Sequence, residues 1–577
     1  MVESSAAIAL GTEFRAGDWL VKPRECRIAN PRGEVRLRPM LIDLLVLLAG
    51  RRGEVVSKDE ILDRLRKSRF VSESALTSDV AELRRLLGDS CTKPRYIETV
   101  AKRGYRFVAQ VELCARPAQP RLAVLIFENL NRDPDKDYFA DGMSDALITE
   151  LGNISGLRVV SRQSVLGFKD TKKSLPEIAR ELKVDAIIEG CALHARSRAR
   201  ISVQLVQGEP ERHLWAQSYE CKMSDVLAVQ GRIARSVAEA VQAVLTPKDL
   251  ARLSRPRPVN SQAHVAYLKA RHHWGTWTKE GTEKALRHLH QAMQADRKFA
   301  PAYSMVSHCM ITLGYWGYLP HREAFRKAKR AALKALALDE SLGDAHTALG
   351  MVNWLADWDT AAAERELQRA IEMNPSSEYA HLMHSLFLVT IGRDRERALE
   401  EVRLALDLDP LSVNTNFSVA FILVFAGEYD RAIEQAVKAL ELHPDSPLAQ
   451  QALGWAYVGL CRYSEAAGAF ERAAALSRDV HSIAALGQVC GRSGQGDTAR
   501  LLLDELLDKS AREFVPEVCF ALIYAGLGDR DRAFERLERC YQERDPHLFW
   551  LPVMPAFLPL RQDARFGDLL RRTRLSG

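Results

Sequence analysis

The chain has 577 residues, of which 47% are hydrophobic and 27% charged, and it carries a formal net charge of +6. A chain of this length is expected to hold about three or four domains. It has no run of about 18 apolar residues and no basic-then-apolar leader, which excludes a conventional membrane span and favours a cytoplasmic protein. Its 10 cysteines include no CxxC pair, so we expect reduced, buried thiols rather than a disulfide framework.

Positive charge is concentrated near the N-terminus. Residues 14–110 contain 21 Lys and Arg against 13 Asp and Glu, a net charge of +8, so the rest of the chain carries −2. Attraction to phosphate supplies most of the non-specific affinity of proteins for DNA. The asymmetry is therefore typical of a chain with a DNA-binding module at one end.

A helix-turn-helix followed by a β-hairpin is predicted for residues 57–107. A capping box at 57–60 begins a first helix, and a second helix spans 73–87. The hairpin has Lys102 and Arg103 at its turn. Such a helix, which has the size to enter the major groove, is typical of a DNA-binding domain when a hairpin with a basic tip lies beside it.

The second helix has an apolar and a polar face. Its apolar stripe consists of Leu76, Val80, Leu83 and Leu87. Its polar face carries Ser74, Ser78, Ala81, Glu82 and Arg85. Serine hydroxyls donate or accept, Glu82 suits the amino group of cytosine, and Arg85 suits a phosphate or a guanine. An ordinary amphipathic helix with a solvated face is the alternative, and the hairpin and the local charge favour DNA contact.

Residues 14–110 resemble the OmpR/PhoB-type winged-helix domain. The resemblance rests on the segments 17–19 (GDW), 35–39 (VRLRP), 53–57 (GEVVS), 83–89 (LRRLLGD), 94–100 (PRYIETV) and 104–107 (GYRF). It implies that helix 73–87 enters the major groove and that Arg103 reaches the minor groove. It also implies that the loop with Lys67, Arg69 and Phe70 contacts RNA polymerase. The chain departs from the family at 65–66 (LR), where tryptophan is frequent, and at 81–82 (AE), where basic residues are frequent.

After a proline-containing linker at 111–120, residues 121–246 alternate predicted strands and helices and indicate an α/β sandwich. The segments 127–130, 137–142, 157–162 and 213–216 resemble a TolB-N-terminal-like domain, which implies no defined chemistry. Asp137, Asp141 and Asp145 lack the ligand spacing of a calcium loop. No GxGxxG, Walker lysine loop or GxSxG motif is present, so we predict no catalytic residues and no cofactor.

Residues 262–546 contain an internal repeat of 33–35 residues with one longer unit. Small residues in one phase mark the repeat: Ala285, Ala328, Ala363, Ala398, Ala432, Ala466, Ala499 and Ala533. A second series follows seven residues later, and prolines end several units. This pattern resembles the tetratricopeptide repeat, which implies an all-α solenoid of paired helices. Residues 547–577 are predicted to form a capping tail.

The first helix of each repeat should line a concave surface. That geometry directs an aromatic and apolar set toward a groove suited to a peptide or helix: Met383, Phe387, Phe417, Phe421 and Trp455. Packing of the same residues between repeats is an equal alternative. The histidine pairs 272/273, 288/290 and 381/384 suggest a metal site, but polar helix surfaces explain them, and we predict no metal.

These observations predict a multidomain α+β fold with a winged helix-turn-helix, an α/β sandwich and a tetratricopeptide solenoid. We expect a cytoplasmic, non-enzymatic transcriptional regulator whose winged helix binds promoter DNA. Only 13 residues precede Phe14, so we expect no receiver domain there, and a protein or ligand signal would enter through residues 121–577. The alternative is a non-enzymatic signalling scaffold or adaptor related to cyclase-associated repeat proteins.

Overall fold

The computed structural model describes residues 14–574 apart from 24–26, 31–32, 66–72, 102, 114–118, 132–136, 170, 196–197, 223–224, 244, 247–248, 251–252, 254–259, 276 and 393. The chain divides into two compact units, residues 1–119 and 120–577. None of the helices within the described stretches combines the length and apolar character that a membrane span requires.

The first unit contains a five-stranded sheet, three helices and a three-stranded sheet. Its elements are β1 (Phe14–Ala16), β2 (Trp19–Lys22), β3 (Arg27–Asn30), β4 (Gly33–Arg36), α1 (Pro39–Ala49), β5 (Val55–Val56), α2 (Lys58–Leu65), α3 (Glu73–Leu87), β6 (Ile97–Val100), β7 (Gly104–Phe107) and β8 (Val111–Leu113). The sheet orders are β4-β3-β2-β1-β8 and β5-β7-β6. Strand β8 pairs with β1, with Phe14 opposite Leu113. The prediction that a linker begins at residue 111 is therefore wrong, because residues 111–113 complete the first sheet.

The apolar stripe predicted for α3 is confirmed. Leu76, Val80, Leu83 and Leu87 are at most 3% exposed and lie in the core of the first unit. The indole Nε1 of Trp19 donates to the carbonyl of Leu87 at 3.1 Å. This bond ties the C-terminal end of α3 to the opening sheet.

The second unit begins with a mixed sheet between two helical layers. Its elements are β9 (Arg121–Val124), β10 (Glu128–Asn129), α4 (Asp137–Gly152), β11 (Arg158–Val159), α5 (Arg162–Leu166), α6 (Leu175–Leu182), β12 (Ala186–Ala195), β13 (Arg198–Gln207), β14 (Arg212–Lys222) and α7 (Val226–Ala240). The sheet order is β11-β9-β12-β13-β14. Leu122 and Val124 pack with α4 and α7, whereas Ala123 packs with α5 and α6. The period-two alternation of a strand thus serves both helical layers.

Among the described residues, eight pairs of helices follow, and the two helices of each pair contact each other. The first helices are Ser261–Trp274, Ala300–Tyr315, Gly343–Leu355, Glu378–Thr390, Val413–Phe425, Pro447–Gly459, Val480–Arg492 and Glu517–Leu527. The second helices are Lys279–Ala295, His321–Leu338, Thr360–Met373, Arg395–Leu408, Tyr429–Leu442, Tyr463–Ser477, Gly496–Ser510 and Arg530–Glu543. All eight alanines of the predicted first series are fully buried, because small side chains let the paired backbones approach closely. The predicted repeat is confirmed.

A polar clamp recurs within three successive repeats. On the first helices it uses His346, His381 and Asn416, and on the second helices it uses Glu366, Glu401 and Gln435. In each case the first-helix side chain also bonds, at 3.0 Å, a carbonyl six residues earlier in the chain. The clamp therefore ties the loop before each of these repeats to both of its helices.

His381 and His384 do not lie on a polar helix surface, and that expectation is wrong. Both side chains are buried, and both bond to the Glu401 carboxylate of the paired helix. Burial alone would raise the pKa of Glu401, but the hydrogen bonds from the two histidines lower it to about 2. The partner lies on another helix, and helical periodicity therefore gave no sign of it.

Buried polar contacts join the α/β layers to the repeats. Asp409, which follows helix Arg395–Leu408, is 1% exposed and accepts hydrogen bonds from Ser161 and from Ser164, the latter at 2.7 Å. At a second point, Arg271 donates to Asp145 at 2.6 Å. We name the contacts of Asp409 with Ser161 and Ser164 the seam. The α/β region and the repeats, which were predicted as two domains, lie in one compact unit.

The C-terminal segment lies on the inner side of the solenoid. Two 3-10 helices, Pro546–Trp550 and Pro555–Leu560, contact first helices of six repeats, and a final helix, Ala564–Arg572, packs on helix Arg530–Glu543. The ring of Trp550 lies 6.1 Å from that of Phe425. The predicted capping tail thus divides into the final helix on the last repeat and residues 546–560, which we name the inner segment and which contact the first helices.

Replacing Glu401 with alanine should lower the free energy of unfolding by roughly 2 kcal/mol, because two buried histidines lose a charged acceptor. The exposed neighbour Glu400 offers a matched control, and Glu400→Ala should change stability by less than about 0.5 kcal/mol. Urea unfolding of both variants near neutral pH measures the difference. Equal midpoints for the two variants would contradict the clamp.

The contribution of Glu401 should also depend on pH. Its folded-state pKa of about 2 lies below the ordinary value of 4.5, so the stabilisation is present above the ordinary value and is lost as the pH falls toward 2. The stability difference between wild type and Glu401→Ala should therefore shrink in acid. A difference that stays constant down to acid unfolding would show that the carboxylate charge is not its source.

Candidate nucleic-acid interface and repeat surface

Helix α3 presents a continuous exposed face. Thr77, Ser78, Ala81 and Arg85 are exposed, and their spacing places them on one side of the helix, opposite the buried stripe. Ser74 belongs to the same helix, but its side chain lies outside the described residues. Sequence reasoning missed Thr77, although its position one turn before Ala81 could have revealed it. The exposed face is short and polar, as a major-groove surface requires.

Two of the carboxylates on α3, those of Asp79 and Glu82, are paired with one arginine. Arg38, immediately before α1, donates to Asp79 at 3.0 Å and also to Glu82. The guanidinium side chain remains 59% exposed. Sequence reasoning missed this partner, since 44 residues separate Arg38 from Glu82. The ion pair partly neutralises the acidic position that departs from the family pattern.

The hairpin β6–β7 forms a wing with a basic turn. The Arg103 amide donates to the Val100 carbonyl at 3.0 Å and closes the turn, and the Arg103 side chain is exposed. Lys102 lies outside the described residues, as do the predicted polymerase-contact residues Lys67, Arg69 and Phe70. Those assignments stay predictions.

Helix α3 and the wing are joined by charged side chains. Arg84 donates to the Ile97 carbonyl at 2.7 Å and to the Thr99 hydroxyl at 2.9 Å. The carboxylate of Asp89, just after α3, accepts from the amides of Arg95 at 2.6 Å and Ile97 at 2.8 Å. These bonds fix the direction of the wing relative to α3, so both elements approach one duplex in a set geometry.

The side chains predicted to line a peptide groove do not form an open surface. Met383, Phe387, Phe417 and Trp455 are buried, and Phe421 is half-buried. Phe387 packs against Trp354 with ring centroids 5.7 Å apart, and Trp455 packs against Phe470 at 4.8 Å. The structure thus agrees with the packing alternative, because neighbouring helices and the inner segment cover these side chains. Peptide binding at these residues stays a prediction.

Gly104→Ala should disrupt the wing, because Gly104 has a φ of +143° and an added Cβ would lie 2.0 Å from the Val56 carbonyl oxygen. We expect a loss of roughly 2 kcal/mol or more in the stability of the first unit. Gly53 is the control, because it has a φ of +81° and no atom lies within 4 Å of an added Cβ. Gly53→Ala should lower the stability of the unit by about 1 kcal/mol. Thermal unfolding of residues 1–119 compares the variants. A Gly104→Ala unit as stable as the Gly53→Ala unit would refute the close contact.

Comparison with known proteins places this geometry in context. Residues 32–107 match the family described as "Transcriptional regulatory protein, C terminal". The chain is 25% identical over 431 residues to the transcriptional regulator HilA of Salmonella typhimurium, covering 72% of this chain and 74% of HilA. It is 42% identical over 98 residues to the transcriptional activator CadC of Escherichia coli K12, covering 17% and 19%.

A different class of protein also matches. Over 249 residues the chain is 30% identical to "Putative adenylate cyclase 3" of Rhizobium meliloti, covering 42% of each chain. The chain thus spans less than half of this relative and of CadC, and about three quarters of HilA. Residues 32–107 thus form a winged-helix domain that matches a family of transcriptional regulatory proteins, and a region of paired helical repeats follows farther along the chain.

Proposed function

We propose that α3 enters the major groove of promoter DNA while the wing contacts the adjacent minor groove. The observation that carries the proposal is the rigid connection of α3 to the wing through Arg84 and Asp89, with Ser78, Arg85 and Arg103 exposed. A fixed pair of reading elements loses little conformational freedom on binding. The net charge of +8 on residues 14–110 supplies attraction to phosphate.

Each exposed side chain receives a distinct role in this proposal. Arg85 and Arg103 contact phosphate or the minor groove and position the protein, together with Lys102. Ser78 and Glu82, together with Ser74, face base edges. Glu82 accepts from a cytosine amino group. Its partner Arg38 faces the neighbouring DNA backbone.

Arg85→Ala and Arg103→Ala should weaken binding to all duplexes and lower the salt dependence of the affinity by about one phosphate contact each. Arg52 is a matched control of equal charge. Its side chain is exposed. The next residue, Gly53, donates its amide to the carbonyl of Phe107, at the end of β7 that lies away from the wing turn. Fluorescence anisotropy over a salt series measures the slopes. The assignment fails if Arg52→Ala reduces affinity and slope as much as Arg103→Ala.

Glu82→Ala should change which sequences are selected, since base-edge contacts discriminate by roughly 1–3 kcal/mol each. Arg85→Ala should keep the selected sequence and lose affinity. Selection from a random duplex pool, run in parallel on both variants, separates the two effects. An unchanged profile for Glu82→Ala would remove Glu82 from the reading face.

We further propose that residues 120–577 receive the signal as one body, because buried contacts at Asp409 and at Arg271 with Asp145 join the α/β layers to the repeats. The signal is a protein or a small ligand, and RNA polymerase is a further proposed partner through the loop at 67–71. We place the protein in the cytoplasm and assign it no catalytic activity.

The second candidate function is a non-enzymatic signalling scaffold. The 249-residue similarity to a protein named as a putative adenylate cyclase favours it, because it relates the chain to a protein of a different class. Binding to duplex DNA by the full chain discriminates the two, since a scaffold has no need of sequence preference. A chain that binds no duplex in a random-pool selection would favour the scaffold.

A further inference from the structure

Three side chains from distant parts of the repeat array converge inside the solenoid. His321 begins the second helix of the second repeat, whereas Asp545 directly precedes the inner segment and His547 lies within it. One ligand atom from each lies within 4.8 Å of the others. His321 is 2% exposed, and Asp545 and His547 are fully buried. Such burial distinguishes the cluster from ordinary acidic and basic groups at a surface.

The orientation of His321 calls for a cation beside Asp545. Nδ1 of His321 lies 2.9 Å from the Gly314 carbonyl oxygen, and a carbonyl can only accept, so Nδ1 carries a proton and donates. Nε2 then faces Oδ2 of Asp545 at 3.5 Å. That separation is longer than the roughly 2.7–2.9 Å of a charge-assisted hydrogen bond. It is close to the separation of two ligands on one tetrahedral zinc ion, given metal–ligand bonds of about 2.0–2.2 Å.

The neighbouring imidazoles also have unused nitrogen atoms. Nδ1 of His547 lies 2.8 Å from Oδ1 of Asp545, so this nitrogen and the carboxylate lie close enough to bind one ion together. Among the described residues, the buried Nε2 atoms of His321, His481 and His547 have no hydrogen-bond partner. The His481 ring lies 4.9 Å from that of His547. Buried polar atoms of this kind are costly unless something binds them.

We propose that His321, Asp545 and His547 bind one divalent transition-metal ion, zinc by preference, with His481 as the adjoining imidazole. Two imidazoles and a carboxylate form a donor set that suits zinc. The set has too few oxygen atoms for calcium, which takes about six to eight oxygen ligands. The inference does not depend on DNA binding.

Metal binding at this cluster would fasten the inner segment to the second repeat. His547 belongs to helix Pro546–Trp550, whose Phe549 ring lies 4.4 Å from that of Trp354 on the third repeat. Bound metal would therefore hold the concave side closed, and removal of the metal would free the segment that covers it. Metal availability would then control access to the concave surface.

Titration of the chelator-treated full chain with Zn²⁺, followed by calorimetry, tests the site. We expect one tight equivalent in the wild type and at least a tenfold weaker affinity in His321→Gln and His547→Asn. His273 and His288 of the first repeat stack with ring centroids 5.4 Å apart, and the double variant His273→Gln with His288→Gln is the control for adventitious binding. Loss of the tight equivalent only in that double variant would overturn the proposal.

Co²⁺ provides a readout that does not rely on a variant that folds. In the wild type, one equivalent should give the intense visible bands of four-coordinate cobalt, and hydrogen exchange of residues 546–560 should slow when zinc is bound. The other cation that fits between His321 and Asp545 is a proton. A wild-type chain that shows no such bands and no metal-dependent exchange would establish the protonated ion pair and refute the metal site.

Discussion

The carboxylate of Asp89 makes the contacts on which the proposed DNA-reading surface depends. Asp89 directly follows Gly88, which ends the helix that carries Ser78 and Arg85. Its carboxylate accepts hydrogen bonds from backbone amides at the start of the wing. Arg84 adds a second bridge from the same helix to β6. Without these bonds the helix and the hairpin would move as separate elements joined by a loop, and their side chains would meet a duplex in no fixed register. Preorganisation of this kind raises affinity without any added contact.

The second unit is organised by a different constraint, which is that a helix pair cannot bury both of its faces alone. The alanine series allows close packing within each pair, and the clamp at His346, His381 and Asn416 fixes the connecting loops. The inner segment then covers the concave side, and the seam at Asp409 joins the sheet to the repeats. The sheet, the repeats and the inner segment therefore form one compact unit rather than independent domains.

Features set by local periodicity could be predicted from the sequence. The bounds of α3, the wing turn at Arg103 and the phase of the alanine repeats follow from capping, alternation and spacing within a few residues. Contacts between distant residues could not be predicted. Arg38 with Glu82, Asp409 with Ser161 and Ser164, and His321 with Asp545 join separate elements, and no pattern along the chain connects their members. The groove residues illustrate a related limit, because Phe387 and Trp455 have the same spacing whether they face a ligand or pack against a neighbouring helix.

The central claim, that α3 and the wing read adjacent grooves of one duplex, is tested most directly by chemical footprinting of the full chain on a selected DNA site. Hydroxyl-radical protection reports the minor groove, and interference by guanine methylation reports the major groove. The account predicts both signals side by side, with Arg103→Ala removing the minor-groove protection and leaving the major-groove interference in place. A footprint confined to one groove, or one that Arg103→Ala leaves intact, would contradict it.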